Sequence, residues 1–280
     1  MRQSSSQWSA KKETVYNVAT TIHPTAIVDP EAQLGENVTI GPCAVIEDNV
    51  QIGDGTSIGS HALVAWGTRM GRNNRIFNSA SVGTIPQDLK FAGEETTLEI
   101  GNSNIVREFC TLNRGTVAAG KTVIGSNCAL LAYCHVAHDC VVGDNVIASN
   151  CLALAGHATI GNYVTIGGVV AIHQFCKIGD HAFIQSGTRV LRDIIPFAMC
   201  GGDMSKPTIA GINKVGLERN GFDDKRRLKI KRAYKILFRQ EHTIENALIE
   251  LEKEFAGDND ISLLVDFVKN SERGIIRMSE

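Results

Sequence analysis

The stretch ATIGNYVTIGGVVAIHQFCKIGDHAFI, residues 158–184, has an aliphatic side chain at every sixth position. These positions hold Ile160, Ile166, Ile172, Ile178 and Ile184. A period of six is neither the 3.6-residue period of a helix nor the two-residue alternation of a half-buried strand. It is typical of a parallel β-helix, in which each hexad forms one short strand and one corner.

The same phase extends far beyond this stretch. From Ile22 to Val190, 25 of the 29 positions in phase are Val, Ile, Leu or Met. Three hexads would close a triangular coil, so residues three hexads apart are expected to stack at a strand spacing of about 4.8 Å. The residue after the aliphatic one is often Gly, which we expect to permit the turn of the backbone at the corner. The sequence therefore predicts nearly ten coils with aliphatic ladders inside.

Composition agrees with such a core. The chain has 280 residues, of which 43% are hydrophobic and only 6% are aromatic. Its eight cysteines form no C-x-x-C pair, and five of them lie in the small-residue position four places after the aliphatic one. We expect these five to be packing residues rather than zinc ligands or disulfide partners. They are Cys110, Cys128, Cys134, Cys140 and Cys176.

Charge and hydropathy exclude two classes of protein. Lys and Arg number 28 against 30 Asp and Glu, a net charge of -2, whereas proteins that bind nucleic acid are usually basic. No apolar run reaches the roughly 18 residues that a membrane span requires. We therefore expect no nucleic-acid partner and no transmembrane segment.

Two interruptions break the hexads. The first lies between Gly83 and Ile100 and contains IPQDLKFAGE, and the second, RGTVAAGKTVIG, spans residues 114–125. The hexad phase is restored after each, which indicates loops that leave otherwise continuous coils. Loops on a rigid scaffold often carry function.

The two ends lack the hexad. Residues 1–21 are rich in Ser and basic, as in the remnant of an organellar transit segment or an ordinary tail. We assign 22–195 to the β-helix and 196–280 to a helical C-terminal domain. Helices are predicted over 223–240, after an N-cap at Thr243, and around 262–269.

Several histidines are expected to meet on adjacent coils. Steps of three hexads stack His138, Gly156 and Gln174 in one column, with Asp139 and His157 in the next. His135 and His173 lie nearby on the same coils. This cluster suits a general base, with the Gly156 N–H stabilising an oxyanion. It also suits a three-histidine zinc site of the kind found in β-helical carbonic anhydrases.

The hexad pattern resembles the hexapeptide-repeat acyltransferases, which form left-handed β-helices and usually trimers. General crossover rules would instead predict a right-handed coil. Six segments are more specific: IPQDLKFAGE, HVAHDC, LAGHATIG, AIHQFCKIG, GLERNGF and KRAYKILFR. Together they resemble the family of UDP-N-acetylglucosamine O-acyltransferases that begins lipid A biosynthesis, from about Thr21 to the C-terminus.

This resemblance implies both a fold and a reaction. The fold would be mainly β, a left-handed parallel β-helix of hexapeptide repeats followed by a small α-helical domain. A 3-hydroxyacyl group would move from acyl carrier protein to the 3-hydroxyl of UDP-N-acetylglucosamine. Neither cofactor nor metal would be needed. Homotrimers with sites between subunits are the expected assembly.

The resemblance also assigns roles to residues. His138 would be the general base, Asp139 would orient it, and Gly156 would supply the oxyanion N–H. Substrate-binding residues would be Gln87, Asp88, Lys90, His135, His157, His173, Gln174, Asn213 and Arg219. Ser186 would influence acyl-chain length. The chain departs from the family pattern at Val215 and Asn220, which puts its uridine-diphosphate selectivity in question.

The partner and the compartment follow from charge and from the N-terminal extension. Eight basic residues in 225–239 could attract an acidic acyl carrier protein, or could simply face solvent: Lys225, Arg226, Arg227, Lys229, Lys231, Arg232, Lys235 and Arg239. The extension favours a mitochondrial or plastid matrix, with bacterial cytoplasm as the alternative. Two other functions remain open, the related hexapeptide N-acyltransferase and the zinc carbonic anhydrase.

Overall fold

The structure, a computed structural model, describes residues 19–203, 206–238 and 243–278. Within these ranges there are 28 strands, of which the first 26 form a coil, and four helices follow them. Most strands are very short because the chain turns at a corner after each one. The strands in chain order are β1 (Thr21–Ile22), β2 (Ile27–Val28), β3 (Gln33–Leu34), β4 (Thr39–Ile40), β5 (Val45–Ile46), β6 (Gln51–Ile52), β7 (Ser57–Ile58), β8 (Leu63–Val64), β9 (Thr68–Met70), β10 (Arg75–Ile76), β11 (Ser81–Thr84), β12 (Thr97–Ile100), β13 (Ile105–Val106), β14 (Thr111–Asn113), β15 (Lys121–Ile124), β16 (Ala129–Leu130), β17 (His135–Val136), β18 (Val141–Val142), β19 (Ile147–Ala148), β20 (Ala153–Leu154), β21 (Thr159–Ile160), β22 (Thr165–Ile166), β23 (Ala171–Ile172), β24 (Lys177–Ile178), β25 (Phe183–Ile184), β26 (Arg189–Val190), β27 (Ala198–Asp203) and β28 (Lys206–Ile212).

From β1 to β26, every third strand belongs to the same sheet, which makes three sheets of parallel strands around one axis. Ile40 pairs with Ile58, and Ile166 with Ile184, so residues three hexads apart are in register as the period predicts. The chain is a left-handed parallel β-helix, as the family resemblance implies. The right-handed crossover rule does not hold for this coil.

The interior of the coil is aliphatic. Ile46, Ile58 and Ile166 are at most 2% exposed, and the five cysteines in small-residue positions are likewise buried. Burial raises the pKa of the Cys140 thiol to about 12. The burial of all five side chains confirms the expectation that these cysteines pack the core.

The hexad glycines have a different role from the one predicted. Of the twelve glycines that follow an in-phase aliphatic residue, eleven do not have the positive φ that would turn the chain. At Gly53, a Cβ would lie 2.7 Å from the backbone carbon of Gly71 on the next coil. Glycine is therefore required because stacked coils approach closely. Positive φ occurs instead at later corner residues such as Asn37 and Asn73.

Both interruptions are loops that return to the coil in phase. Uninterrupted coils pair residues that are three hexads apart, whereas Met70 pairs with Ile100, five hexads later. Ile100 in turn pairs with Ile124, four hexads later. The first insertion is therefore two hexads long and the second is one hexad long. This confirms the prediction that the coil continues beneath them.

The C-terminal part begins as a hairpin and continues as helices. Strand β27 extends one sheet beside β25 and pairs antiparallel with β28, a hairpin that the sequence patterns did not predict. The helices are α1 (Lys214–Arg219), α2 (Asp224–Leu237), α3 (Ile244–Glu254) and α4 (Asn259–Lys269). The Thr243 side chain accepts a hydrogen bond from the Asn246 N–H, so the predicted N-cap is confirmed. Among the described residues, no helix is long and apolar enough to cross a membrane.

Candidate active site

One corner of the coil brings the predicted residues together. Asp139, His157 and Phe175 occupy equivalent corner positions on three successive coils, with φ of 59°, 60° and 64°. Main-chain hydrogen bonds connect the coils here, from the His157 N–H to the His138 carbonyl and from the Phe175 N–H to the Gly156 carbonyl. The three-hexad period of the coil therefore fixes which side chains stack at this corner.

His138 and Asp139 form a hydrogen-bonded pair. The His138 Nδ1 lies 2.8 Å from the Asp139 Oδ2. An ionised carboxylate can only accept, so Nδ1 carries the proton and Nε2 keeps a free lone pair. The Asp139 side chain is buried, whereas that of His138 is 14% exposed. The pair thus presents an oriented base near solvent.

Asp139 is held from a second direction by the shorter loop. Its Oδ1 accepts from the Thr116 N–H at 2.8 Å and its Oδ2 from the Thr116 hydroxyl at 2.6 Å. Burial alone would raise the pKa of Asp139, but these bonds and the one from His138 outweigh burial and lower the pKa. The carboxylate is therefore charged at neutral pH.

Gly156 lies directly under the His138 ring. A Cβ at this position would be 2.7 Å from Cε1 and 2.8 Å from Nε2 of His138. Within the described part of the chain, the Gly156 N–H donates to no acceptor. The absence of a side chain thus leaves both room for the imidazole and a free amide donor beside it.

A cavity of about 450 Å³ opens in front of this pair. It is lined by six of the predicted site residues: Gln87, His135, His138, Gly156, His173 and Gln174. Its floor consists of small residues such as Ala153, Ala155 and Ala171. Burial and the nearby His138 lower the pKa of His135, which keeps its imidazole neutral. The cavity therefore combines an apolar floor with a few polar groups, as ligand sites usually do.

His157 stands behind the pair rather than in the cavity. Its Nε2 is 3.6 Å from the Asp139 Oδ2, and its ring stacks on Phe175 with centroids 4.6 Å apart. Among the described residues, the one group able to hold a metal comprises His138, Asp139 and His157, with ligand atoms within 4.8 Å of one another. The three-histidine set predicted for zinc is not formed within the described part of this chain.

Five other predicted residues do not line this cavity. Asp88 and Lys90 share the longer loop, where the Asp88 carboxylate accepts from the Lys90 N–H. Ser186 accepts from the Gly168 N–H. Asn213 caps α1 through Gly216 and donates to the His181 carbonyl, while Arg219 is in the last turn of α1. A single chain does not bring these five residues to the base.

The sequence reasoning missed residues at both margins of the site. Arg189 and Leu191 line the far end of the cavity. Three-hexad steps from His135 would have found Arg189. Arg114 lies over Trp66 and Phe91, at 4.8 and 5.5 Å from their ring centroids, and so ties the two loops together. No period could have predicted that contact.

Comparison with known proteins gives a consistent result. A family model described as UDP-N-acetylglucosamine O-acyltransferase, domain 2, matches residues 193–276, and a bacterial transferase hexapeptide model matches 31–65, 121–147 and 157–192. The acyl-[acyl-carrier-protein]–UDP-N-acetylglucosamine O-acyltransferase of Thiobacillus denitrificans is 49% identical over 92% of this chain and 99% of its own. The enzyme of that name from Myxococcus xanthus is 47% identical over 91% and 99%.

Solved structures are also similar. The UDP-N-acetylglucosamine acyltransferase of Bacteroides fragilis has a TM-score of 0.89 and 43% identity, covering 92% of this chain and all of its own. The Arabidopsis UDP-N-acetylglucosamine acyltransferase has a TM-score of 0.77 and 33% identity, covering 91% and 100%.

Proposed function

The chain belongs to the UDP-N-acetylglucosamine O-acyltransferase family, and we propose that it transfers a 3-hydroxyacyl group from acyl carrier protein to the 3-hydroxyl of UDP-N-acetylglucosamine. This is the reaction that begins lipid A biosynthesis. The observation that carries the proposal is the His138–Asp139 pair, placed over Gly156 at the edge of an open cavity.

His138 is the proposed general base. Its Nε2 takes the proton of the sugar hydroxyl while that oxygen attacks the thioester carbonyl. Asp139 accepts from Nδ1–H, which holds the ring in the basic tautomer and stabilises the imidazolium that forms. The low pKa of Asp139 supports this role, because a carboxylate stays charged beside the cation.

The other half of the reaction depends on Gly156. As the carbonyl becomes tetrahedral, its oxyanion accepts from the free Gly156 N–H. Collapse then breaks the carbon–sulfur bond, and the departing thiolate of the carrier takes the proton from His138. The products are the sugar ester and the free carrier thiol, so the residues end in their starting state.

The direct test is incubation of the purified protein with UDP-N-acetylglucosamine and acyl carrier proteins that bear acyl groups of several lengths. We expect mass spectrometry to detect an O-acylated nucleotide sugar and an equal amount of free carrier thiol. The preferred acyl length follows from the same data. No product with any acyl length would contradict the proposal.

Each alternative function predicts a different experimental result. The related N-acyltransferase acts on an amine, so an amino-sugar acceptor preferred over UDP-N-acetylglucosamine would favour it. A zinc enzyme would hold stoichiometric metal that is lost when His138 is replaced by Ala. The relatives that share about half of this sequence are O-acyltransferases by name, which supports the main proposal.

The remaining predicted contacts belong to this proposal. Asp88 and Lys90 would contact the substrate from the longer loop, beside Gln87 at the cavity wall. Asn213 and Arg219 would contact the nucleotide, and Ser186 would limit the acyl chain, in a site completed by a neighbouring subunit. Each of these three lies outside the cavity of one chain.

We propose a homotrimer, which such shared sites require. Support comes from apolar side chains exposed along one corner of the coils that carry the site. Phe109 and Tyr133 stack there with centroids 5.1 Å apart, and Val169 lies along the same corner with 66% exposure. Exposed apolar patches commonly mark interfaces. Light scattering of the purified protein should give the mass of three chains.

Acyl carrier protein would dock on the basic helix α2, but fewer basic residues of this helix would take part than the sequence suggested. Four of the eight cations have partners within the domain: Arg226 with Asp260, Arg227 with Asp224, Lys229 with Asp258 and Arg232 with Glu254. Arg239 lies outside the described residues. Lys231 and Lys235 form no ion pair within the described ranges and, with Lys214, line a second cavity of about 410 Å³.

The double substitution Lys231→Glu and Lys235→Glu should therefore raise KM for acyl carrier protein about tenfold at low salt, because electrostatic steering is lost. The kcat should be unchanged, and the effect should fade at high salt. The charge-matched control is Arg72→Glu with Lys253→Glu, because neither residue lines this cavity. An unchanged KM in the first pair, or an equal rise in the control, would contradict docking at α2.

The compartment is also a proposal. The curated relatives named above come from bacteria, and the plant structure is less similar, at 33% identity. This favours bacterial cytoplasm, the alternative in the sequence analysis, and gives no support to a mitochondrial or plastid matrix. Most of the N-terminal extension on which that expectation rested, residues 1–18, lies outside the described residues.

A further inference from the structure

The shorter loop forms a rigid bridge over the catalytic corner. It follows β14 and is fixed at its start by main-chain hydrogen bonds from the Arg114 N–H to the Thr84 carbonyl and from the Gly115 N–H to the Thr97 carbonyl. The Gly120 N–H closes it onto the Thr116 carbonyl at 2.7 Å. Thr116 is therefore held in place by the backbone on both sides.

The direction of the Thr116 hydroxyl is determined by its neighbours. Its Oγ1 accepts from the Ala118 N–H at 3.2 Å and lies 2.6 Å from the Asp139 Oδ2. Because the carboxylate can only accept, the hydroxyl proton points to Asp139. The Thr116 N–H donates to the other oxygen, and both residues are at most 7% exposed. Two donors from one residue thus fix the plane of the carboxylate.

Two imidazoles compete for that carboxylate. The Asp139 Oδ2 is 2.8 Å from the His138 Nδ1 and 3.6 Å from the His157 Nε2. The rings of these two histidines are perpendicular, with centroids 5.1 Å apart. A modest rotation of the carboxylate would exchange one partner for the other. Without a hydrogen bond to Asp139, His138 has no reason to keep its proton on Nδ1.

We propose that Thr116 is a positioning residue for catalysis: its hydroxyl holds Asp139 toward His138 and away from His157, and so keeps the Nε2 of His138 unprotonated and able to act as a base. The proposal deepens the proposed acyl transfer and rests on it for its kinetic readout. It assigns a function to the one-hexad insertion that carries Thr116.

The test compares Thr116→Val, which removes the hydroxyl but keeps the shape and the N–H, with Thr116→Ser, which keeps the hydroxyl. Because a hydrogen bond to a charged group is lost, Thr116→Val should lower kcat about tenfold and leave both KM values unchanged. Thr116→Ser should retain wild-type kcat. Thr56→Val, which removes an equally buried threonine hydroxyl far from the site, should also retain it.

A second readout does not depend on turnover. Nitrogen-15 NMR of the imidazoles should show His138 as the Nδ1–H tautomer in the wild type and in Thr116→Ser, but as a mixture of tautomers in Thr116→Val. If the wild type were inactive, the proposed function would be contradicted, but the NMR comparison would still test the role of Thr116. Wild-type kcat or an unchanged tautomer in Thr116→Val would overturn the role of Thr116, and so would equal impairment of Thr116→Ser.

Discussion

Replacing His138 by alanine is expected to lower kcat by about 10²–10⁴-fold, the usual contribution of a general base. This corresponds to about 3–5 kcal/mol of transition-state stabilisation. The loss should appear in kcat rather than in KM, because the proton transfer occurs in the transition state and not in substrate binding. Release of free carrier thiol under saturating substrates measures it.

The fold should tolerate this substitution. His138 is at the rim of the cavity, and Asp139 keeps both hydrogen bonds from Thr116 when the imidazole is gone. The melting temperature and the oligomeric mass should therefore stay close to those of the wild type. His23→Ala, an exposed histidine on the first coil, is the matched control and should be fully active. If His138→Ala kept turnover within about tenfold of the wild type, the base would have to be another group.

The fold could be predicted because its signal repeats. Each in-phase aliphatic residue indicates the same coil geometry, so single exceptions such as Ala148 do not change the prediction. The hexad phase also continues after both insertions. The role predicted for the hexad glycines, to permit the corner turn, was wrong. A sequence shows that Gly recurs but does not show that a neighbouring coil approaches it closely. The β27–β28 hairpin was missed since its Gly-rich strands carry no alternation.

The hexad period could predict the positions of those site residues that lie on the coils. Three-hexad steps correctly stacked Gly156 beside His138 and His157 beside Asp139. They could not place Thr116, because a loop inserted between coils returns across the corner along a path that the period does not determine. The same limit applies to Asn213, whose position depends on how the hairpin leads into α1. The sequence repeat predicts the scaffold, whereas the positions of residues on irregular segments are known only from the structure.

Gly156→Ala is expected to lower kcat by about 10²–10³-fold, although it adds only one methyl group. The backbone itself should accept alanine, because Gly156 does not have a positive φ. The obstacle is the imidazole, since the new Cβ would lie 2.7 Å from Cε1 of His138. The ring must move, which misplaces the base and disturbs the amide proposed to bind the oxyanion.

Gly168→Ala provides the matched control. Gly168 lies at another corner of the coils, and a Cβ there would meet only the Asn150 carbonyl at 3.4 Å, an ordinary contact. We expect this variant to have wild-type kcat and a similar melting temperature. Equal impairment of the two variants would indicate a general sensitivity of the coil to added methyl groups and would contradict the specific clash at Gly156.

The double variant His138→Ala with Gly156→Ala separates the two effects of the methyl group. If the methyl acts only by displacing the imidazole, it has nothing left to displace once His138 is alanine, and the double variant should match His138→Ala alone. If the methyl group also obstructs the substrate oxyanion beside the backbone N–H, the second substitution should lower the residual rate further. We expect the double variant to match His138→Ala alone, because the three atoms nearest the new Cβ all belong to the imidazole and the substitution keeps the backbone N–H.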